Sequence, residues 1–526
     1  MADPWDEWTL LSIDGGGVRG FASLLFLKAL MREIARVEEN DFLLSSILQD
    51  TPGADTKPGS SSFYPCDAVL PSGDPQNSPY LPCHYFDFIV GSGTGGLIAL
   101  MLGRLRMTAY DACEQYIRFA NRVYGRPRTF HCRRLPPLWA QETKYNTYSL
   151  DATIREISNA YDSDAHVGLK HTPLAAPSDI CKTIVTACGK RTKSSREKTY
   201  LFRSYNHFAN KETGSSHRNP SAASGDAIWE VGHATMAAPS YFEKLEIENL
   251  TFKHGGMRVN NATEDVLDEL QVLESAQKPG VVVSLGTGAR HHTSIGNGRI
   301  ADLFASFTGF FASMVDTDKV HKRVKRRPEL ADCYFRFNDR SRDWNGVIMD
   351  QWIPTYESER KREPGQITMD RMANIVAKYL ESGGQEEMAK CAEQLVRFRR
   401  RRLSANPDRW ERFASVSTFT CPECPNIDSF TNRSEFKNHI EQSFHKSASF
   451  TLDNSRQAWS YHERRRSSLK IPDPYIGSNE YDVQWVGEQK WEYRTIFSHG
   501  NCNAEAAVKY VLRFNDLETL ATVSLN

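Results

Sequence analysis

Two glycine clusters and one set of cysteines and histidines have the residue types and spacing for chemistry. The first cluster, D-G-G-G-V-R-G, runs from Asp14 to Gly20, after the apolar run Trp8 to Ile13 and before a helical stretch. Consecutive glycines let backbone N–H groups close on an oxyanion where a Cβ would block the approach. Gly15, Gly16, Gly17 and Gly20 are therefore candidate oxyanion donors, and Arg19 is placed either to add charge or to fix the loop. The second cluster, F-D-F-I-V-G-S-G-T-G-G-L-I-A, spans Phe86 to Ala99. A strand, a sharp turn and a helix are the mount on which many hydrolases present a nucleophile, but the residue at the apex is Gly93, which has no atom that can attack. The third set is Cys421, Cys424, His439 and His445, spaced C-x2-C-x14-H-x5-H. Two thiolates on a turn and two imidazoles one to two helical turns apart can close a tetrahedron around Zn²⁺. Phe430 and Phe436 stand where a small ββα zinc finger keeps its apolar core, although the x14 gap is about two residues longer than the common one.

Each cluster has a competing reading. Gly15, Gly17 and Gly20 also satisfy G-x-G-x-x-G, but a dinucleotide site needs a second strand ending in an acidic residue about 20 positions on. Here the helix continues through Glu38 and Glu39 into a Pro/Gly/Ser-rich stretch, so no nucleotide cofactor is expected. Ser92 is next to the apex, but it is flanked at the elbow positions by Val90 and Thr94, and adjacent strand residues point to opposite faces, so its side chain is expected to face into the fold. Thr94 is read as a helix N-cap or a packing contact. A single finger contacts about three base pairs, and its groove positions would be Asn432, Glu435 and Asn438, so DNA reading is not expected and the zinc is structural. The basic runs 321–327, 397–402 and 463–468 read as solvated faces, with nuclear import or an anionic surface as the alternative.

The elements that position these residues form an α/β pattern. Strands are expected at 8–13, 86–90, 181–188, 198–205 and 279–288, and helices at 21–39, 109–124, 226–238, 263–275, 368–380 and 385–403. Leu24, Leu27, Leu30, Ile34 and Val37 fall on one face of the first helix. Strands alternating with helices imply a mainly parallel sheet. Residues 51–82 read as an exposed insertion, 341–403 as a helical extension, 404–418 as a linker, 419–446 as the finger and 447–526 as a C-terminal α+β segment. The 526 residues include 65 Lys plus Arg and 65 Asp plus Glu, so no overall charge draws the chain to nucleic acid or an anionic membrane. Eleven scattered cysteines and an acidic N-terminus imply reduced thiols in the cytosol or nucleus. The most apolar window, 86–103, carries Asp87 and a glycine cluster, so no transmembrane anchor is expected.

Over roughly residues 8 to 340 the chain resembles a patatin-like phospholipase domain, of the kind common in fungi. The resemblance rests on Asp14 to Gly20, on the elbow at every framing position except its apex, and on "CKTIVTACGKR", "LFRSYN", "IWEVGHATMAAPSYFEKLEI" and "VVVSLGTG" in the expected order. It implies a three-layer α/β fold in which a serine attacks an acyl ester, an aspartate acts as its base and the glycine loop holds the oxyanion. This chain departs at both reacting positions: Gly93 stands at the nucleophile's place, and His254, in F-K-H-G-G-M, at the aspartate's. Two departures favour natural loss of catalysis over an engineered knock-out. The expected function is a lipid-binding or regulatory pseudoenzyme whose pocket takes an acyl lipid or phospholipid, with a protein partner for the finger. The alternatives are an active lipid acyl hydrolase, if Gly93 is engineered or another residue substitutes, and a zinc-finger nucleic-acid or protein-binding regulator.

Overall fold

The computed structural model of the protein describes residues 3–48, 80–128, 143–161, 171–191, 196–207, 219, 221–257, 259–273, 277–289, 317–353, 365–415 and 439, with the backbone of four strands beyond residue 478. The chain divides into two compact units: residues 1–34, 81–162 and 166–395, and residues 35–80, 163–165 and 396–526.

The first unit is built on one eight-stranded sheet of order β5-β6-β3-β2-β1-β7-β8, with β4 also paired to β3. The strands are β1 (Glu7–Ile13), β2 (Phe88–Ser92), β3 (Lys182–Arg191), β4 (Lys198–Arg203), β5 (Leu245–Ile247), β6 (Leu250–Lys253), β7 (Lys278–Leu285) and β8 (Tyr334–Phe337). β3, β2, β1, β7 and β8 run parallel, whereas β4, β5 and β6 are antiparallel additions at one edge. The near-continuous apolar runs of β1 and β2 are what a parallel strand covered on both faces requires, and both are buried almost throughout. Leu10, Phe88, Val90, Ile184 and Val282 point to one face, packing with Val266 and Leu270 of the helix Thr263–Leu273 and with Val320 and Val324 of the helix Thr317–Val324. On the other face, α2 (Thr94–Ala99) and the turn after it lie so close that a Cβ on Gly96 would be 3.0 Å from Val185, and one on Gly103 3.5 Å from Ile89. Helices therefore cover both faces of a mainly parallel sheet.

Several details differ from the sequence reading. The first helix, α1 (Gly20–Leu48), buries Phe26 and Met31 as completely as its apolar stripe, because it is enclosed on more than one side. The strands 245–247, 250–253 and 334–337 were not expected; they are too short to show a period. The compact unit continues past residue 340 to 395, and Tyr379 stacks edge-on to Phe26 at 5.2 Å. Tyr80, Leu81 and Pro82, at the end of the expected insertion, are buried, and the rest of it lies outside the described residues, as does nearly all of the expected finger.

In the second unit, the expected linker is helical from Pro407 to Ser415, with Trp410 and Phe413 buried. Three arginines of the basic run 397–402 have internal roles: Arg399 and Arg400 pair with the buried Glu38, and Arg402 stacks on Phe398. At the C-terminus, where strand and helix were expected, the described residues are all strand: 479–485, 490–497, 508–513 and 519–521 form an antiparallel sheet. The stretch "AEAAVKYVLRF" holds the strand Val508–Arg513, in line with its β-branched and aromatic residues.

His321 couples the sheet edge to pH. Burial first, then Arg336 and Arg340, lower its pKa from 6.5 to about 4. The unfolded chain therefore binds an extra proton between those values, and the stability carried by the neutral ring is present above about pH 6.5 and lost as pH falls toward 4. In thermal melts the Tm of the parent, relative to His321→Gln, should fall as pH is lowered from about 7 to about 4; a constant difference between the two proteins would refute the assignment.

Candidate functional site

The site lies beyond the carboxyl ends of β1, β2 and β7, where ligands of open α/β sheets bind. Registers align Ile13 with Gly91 and with Leu285, so the turns that leave these strands stand side by side. They interlock through backbone. A Cβ on Gly95 would lie 2.6 Å from the carbonyl oxygen of Asp14, and one on Gly15 2.9 Å from that of Ser92. The side chain of Asp14 turns inward, where Arg336 holds both its oxygens at 3.0 and 2.5 Å and also donates to Ser284 at 2.7 Å.

The elbow keeps its shape without a nucleophile. Gly93 has φ 57° and ψ −125°, a strained conformation for any residue with a Cβ and one that costs glycine little. Its N–H donates to Thr235 Oγ1 at 2.7 Å, and Thr235 in turn donates to the carbonyl of Thr186 at 2.7 Å. Ser92 is fully buried, with its hydroxyl turned toward Gly255 and not toward the pocket. Thr94 caps nothing. Its hydroxyl accepts from the Gly16 N–H at 3.3 Å and bonds to Tyr116, whose own hydroxyl donates to the Gly17 carbonyl at 2.7 Å.

His254 fills the space a nucleophile would use. Its Nε2 lies 2.6 Å from where a Cβ on Gly93 would be, closer than non-bonded atoms approach. The ring is fixed from behind: Gly256 N–H donates to Nδ1 at 3.0 Å, and His254 N–H donates to the carbonyl of Ala237 at 3.0 Å. A ring nitrogen that accepts a hydrogen bond carries no proton, so the neutral ring bears its hydrogen on Nε2. The atom that faces Gly93 is then a donor and not a base.

The candidate oxyanion donors separate into two groups. Gly15 N–H is used on the carbonyl of Asn260 at 3.1 Å, and Gly20 N–H on the carbonyls of Gly17 and Val18. A Cβ on Gly20 would sit 2.7 Å from the Tyr116 hydroxyl, so this glycine serves packing. Gly16 reaches an acceptor only at 3.3 Å, and the Gly17 N–H has none among the described residues. Arg19 does not face the pocket. Its guanidinium donates to the carbonyls of Val347, Ala289 and Trp344 at 2.8, 3.2 and 2.7 Å, tying Ala289 and the loop 342–349 to the glycine turn. Asn260, Thr235 and Arg336 were missed in the sequence; their only signal was the pair Asn260-Asn261 after the glycines and a lone arginine in a short apolar strand. Cys421, Cys424 and His445 lie outside the described residues, whereas His439 is helical. No described helix is long and apolar enough to cross a membrane.

Comparison with known proteins relates two parts of the chain to known families. Residues 66–267, which include Gly93 and His254, match the patatin-like phospholipase family, and residues 458–526 match the glycosyl hydrolase 2 galactose-binding domain-like family. The chain is 26% identical to the calcium-independent phospholipase A2-gamma of Rattus norvegicus over 322 residues, 60% of this chain and 37% of that protein. It therefore spans little more than a third of that relative's length. Over 56 residues, 11% of this chain and 6% of the relative, it is 52% identical to β-mannosidase B of Thermothelomyces thermophilus. The crystal structure of VipD from Legionella pneumophila aligns over 72% of this chain and 67% of its own, at 11% identity and a TM-score of 0.27. Over residues 66–267 the chain is therefore similar to patatin-like phospholipases.

The geometry couples the two vacant positions. Gly93→Ser should destabilise the domain by about 1–3 kcal/mol through backbone strain alone, with a further loss from displacing His254. In urea unfolding, Gly93→Ser combined with His254→Ala should recover about 1 kcal/mol relative to the sum of the single changes. Strictly additive costs would show that the imidazole moves aside freely.

Proposed function

We propose that this chain is a catalytically inactive, lipid-binding member of the patatin-like phospholipases, acting by binding or regulation. The observation that supports this best is the imidazole of His254 standing where the side chain of a nucleophile at position 93 would be. Neither the serine–aspartate dyad nor a serine–histidine variant can be written with glycine at the apex. In enzymes whose reacting residues act as a unit, loss of the nucleophile alone removes several powers of ten in rate. The Gly16 amide is held only by the Thr94 hydroxyl at 3.3 Å and that of Gly17 has no acceptor among the described residues; on this an acyl lipid or phospholipid is the proposed ligand. Hydrolysis of a chromogenic short-chain ester and of a phospholipid should be at background for the chain itself. It should remain there for Gly93→Ser and rise only in Gly93→Ser with His254→Asp. Turnover by the unaltered chain that is lost on changing Ser92, Thr94 or His254 would overturn the proposal in favour of an active acyl hydrolase.

For the C-terminal region, we propose that Cys421, Cys424, His439 and His445 hold one structural zinc and that the finger serves a protein partner, in the cytosol or nucleus. The spacing of the ligands and of Phe430 and Phe436 supports this. A module of this size depends on its metal to fold. The similarity to β-mannosidase B is confined to a small part of that enzyme, and no glycosidase activity is proposed. Purified chain should carry about one equivalent of zinc, and Cys421→Ser should abolish it. A metal-free chain with residues 419–446 still folded after zinc-supplemented expression would refute the site.

A further inference from the structure

We infer that one proton on His233 clamps the end of the helix that holds the elbow, so that the hold on Gly93 and His254 loosens as pH rises. The clamp belongs to the architecture of the elbow, beyond the lipid-binding reading, and does not depend on it.

The helix Ile228–Met236 is buried along most of its length. At Gly232 the helix Thr147–Tyr161 closes in on it, since a Cβ there would be 2.9 Å from the side chain of Ile154. Asp151 stands three residues before Ile154, on the same side of its helix, and its Oδ1 is 2.9 Å from Nδ1 of the buried His233. That approach is an ion contact and not a straight hydrogen bond. The other ring nitrogen, Nε2, is 3.0 Å from the carbonyl oxygen of Glu243, in the turn beyond the helix. A carboxylate and a carbonyl can only accept, so both nitrogens need a hydrogen. The neutral ring has one and would set a nitrogen lone pair against an oxygen; the ring that fits is the imidazolium.

Burial works against charge on this ring, but Asp151 and then Glu243 outweigh it and raise its pKa above 6.5. The other charges on the elements packed around the helix are engaged elsewhere. Arg155 stacks on Trp229 at 3.7 Å, Glu156 pairs with Arg122, Glu246 with Lys244 and Lys253 with Glu197, beside which Cys188 and Lys190 also lie. Glu230 accepts from the Ala227 N–H at the start of the same helix, and the helix Thr94–Ala99 carries no charge.

What the clamp secures is the elbow. Two residues past His233, the Thr235 hydroxyl accepts from the Gly93 N–H at 2.7 Å, and two further on the Ala237 carbonyl accepts from the His254 N–H at 3.0 Å. Glu243 N–H donates to Thr147 Oγ1 at 3.1 Å, so the turn 237–243 is tied to the neighbouring helix as well as to the ring. The folded ring binds its proton more tightly than the unfolded chain does. Its contribution is therefore full below about pH 6.5 and is lost as pH rises through the folded pKa. Loss of the proton makes one ring contact repulsive and lowers the cost of opening this segment locally.

Two measurements on the full chain test this. In spectra of ¹³C-labelled histidine rings, with His233 identified by its loss in His233→Gln, the ring should titrate above 6.5, and Asp151→Asn should lower its midpoint. In hydrogen exchange, expressed as protection relative to the intrinsic rate at each pH, the Gly93 and His254 amides should lose about fivefold in protection between about pH 6 and about pH 9, the difference between a charge-assisted and a neutral hydrogen bond. The loss should follow the ring titration, move to lower pH in Asp151→Asn and be absent in His233→Gln. If His233→Gln does not fold, the shift produced by Asp151→Asn decides in its place. A midpoint at or below 6.5, or protection that stays constant while the ring titrates, overturns the clamp; the lipid-binding proposal stands in either case.

Discussion

The site depends on one close contact between two backbone turns. β1 and β2 are parallel neighbours in register, so the chain leaves both at the same level. The turn after β1 must pass within van der Waals contact of the turn after β2. Only glycine permits this at Gly95, where a Cβ would overlap the carbonyls of Ile13 and Asp14, and at Gly15, where it would press on Ser92 and Asn260. Neither contact involves the reacting position. The scaffold of the pocket is a property of backbone and missing Cβ atoms, and the identity of the side chain at the apex is decided separately.

Several buried charges follow from that contact. With its backbone held against the elbow, Asp14 has no route to solvent, and its carboxylate is matched two strands away by Arg336 of β8. A buried pair of this kind adds little net stability, but removing one partner leaves an uncompensated charge and costs about 3–5 kcal/mol. It therefore pins β8, a strand of four residues, to the end of β1. Arg19 does a similar service on the outer side, drawing the loop 342–349 over the glycine turn, while Val18 N–H donates to the carbonyl of Met349 at 2.8 Å. Both charged residues of the D-G-G-G-V-R-G stretch are thus used to hold the loop and not to act on a ligand.

This distribution of roles explains what was legible in the sequence. The long, continuous apolar strands and the glycine clusters could be read directly, because burial on both faces and exclusion of a Cβ leave composition signals. The order of the sheet could not be, since the short strands at 245–253 and 334–337 carry no period of their own. The same limit applies to charges. Arg19, Arg336, Arg399 and Arg400 look alike in sequence, and only their surroundings show that all four are internal ties. The tautomer of His254 was beyond sequence altogether, because it is set by one amide, that of Gly256, brought onto Nδ1 by the turn that follows it.

The same turn bears on how the two reacting positions came to differ together. An elbow whose apex lost its side chain, with nothing else altered, would leave a small void beside a buried loop, and voids in a packed interior forfeit contacts. Here the volume on one side of the contact is supplied from the other, as the imidazole of His254 extends to the place of the absent Cβ. The space is filled although no nucleophile stands at the apex. The exchange also works as a latch. Restoring a nucleophile at Gly93 first meets the ring, and replacing the ring first leaves a vacancy beside a glycine, so each single reversal is less well packed than the present pair. Two departures from the family pattern that look independent in the sequence are, in the folded chain, one change in how a single small volume is filled.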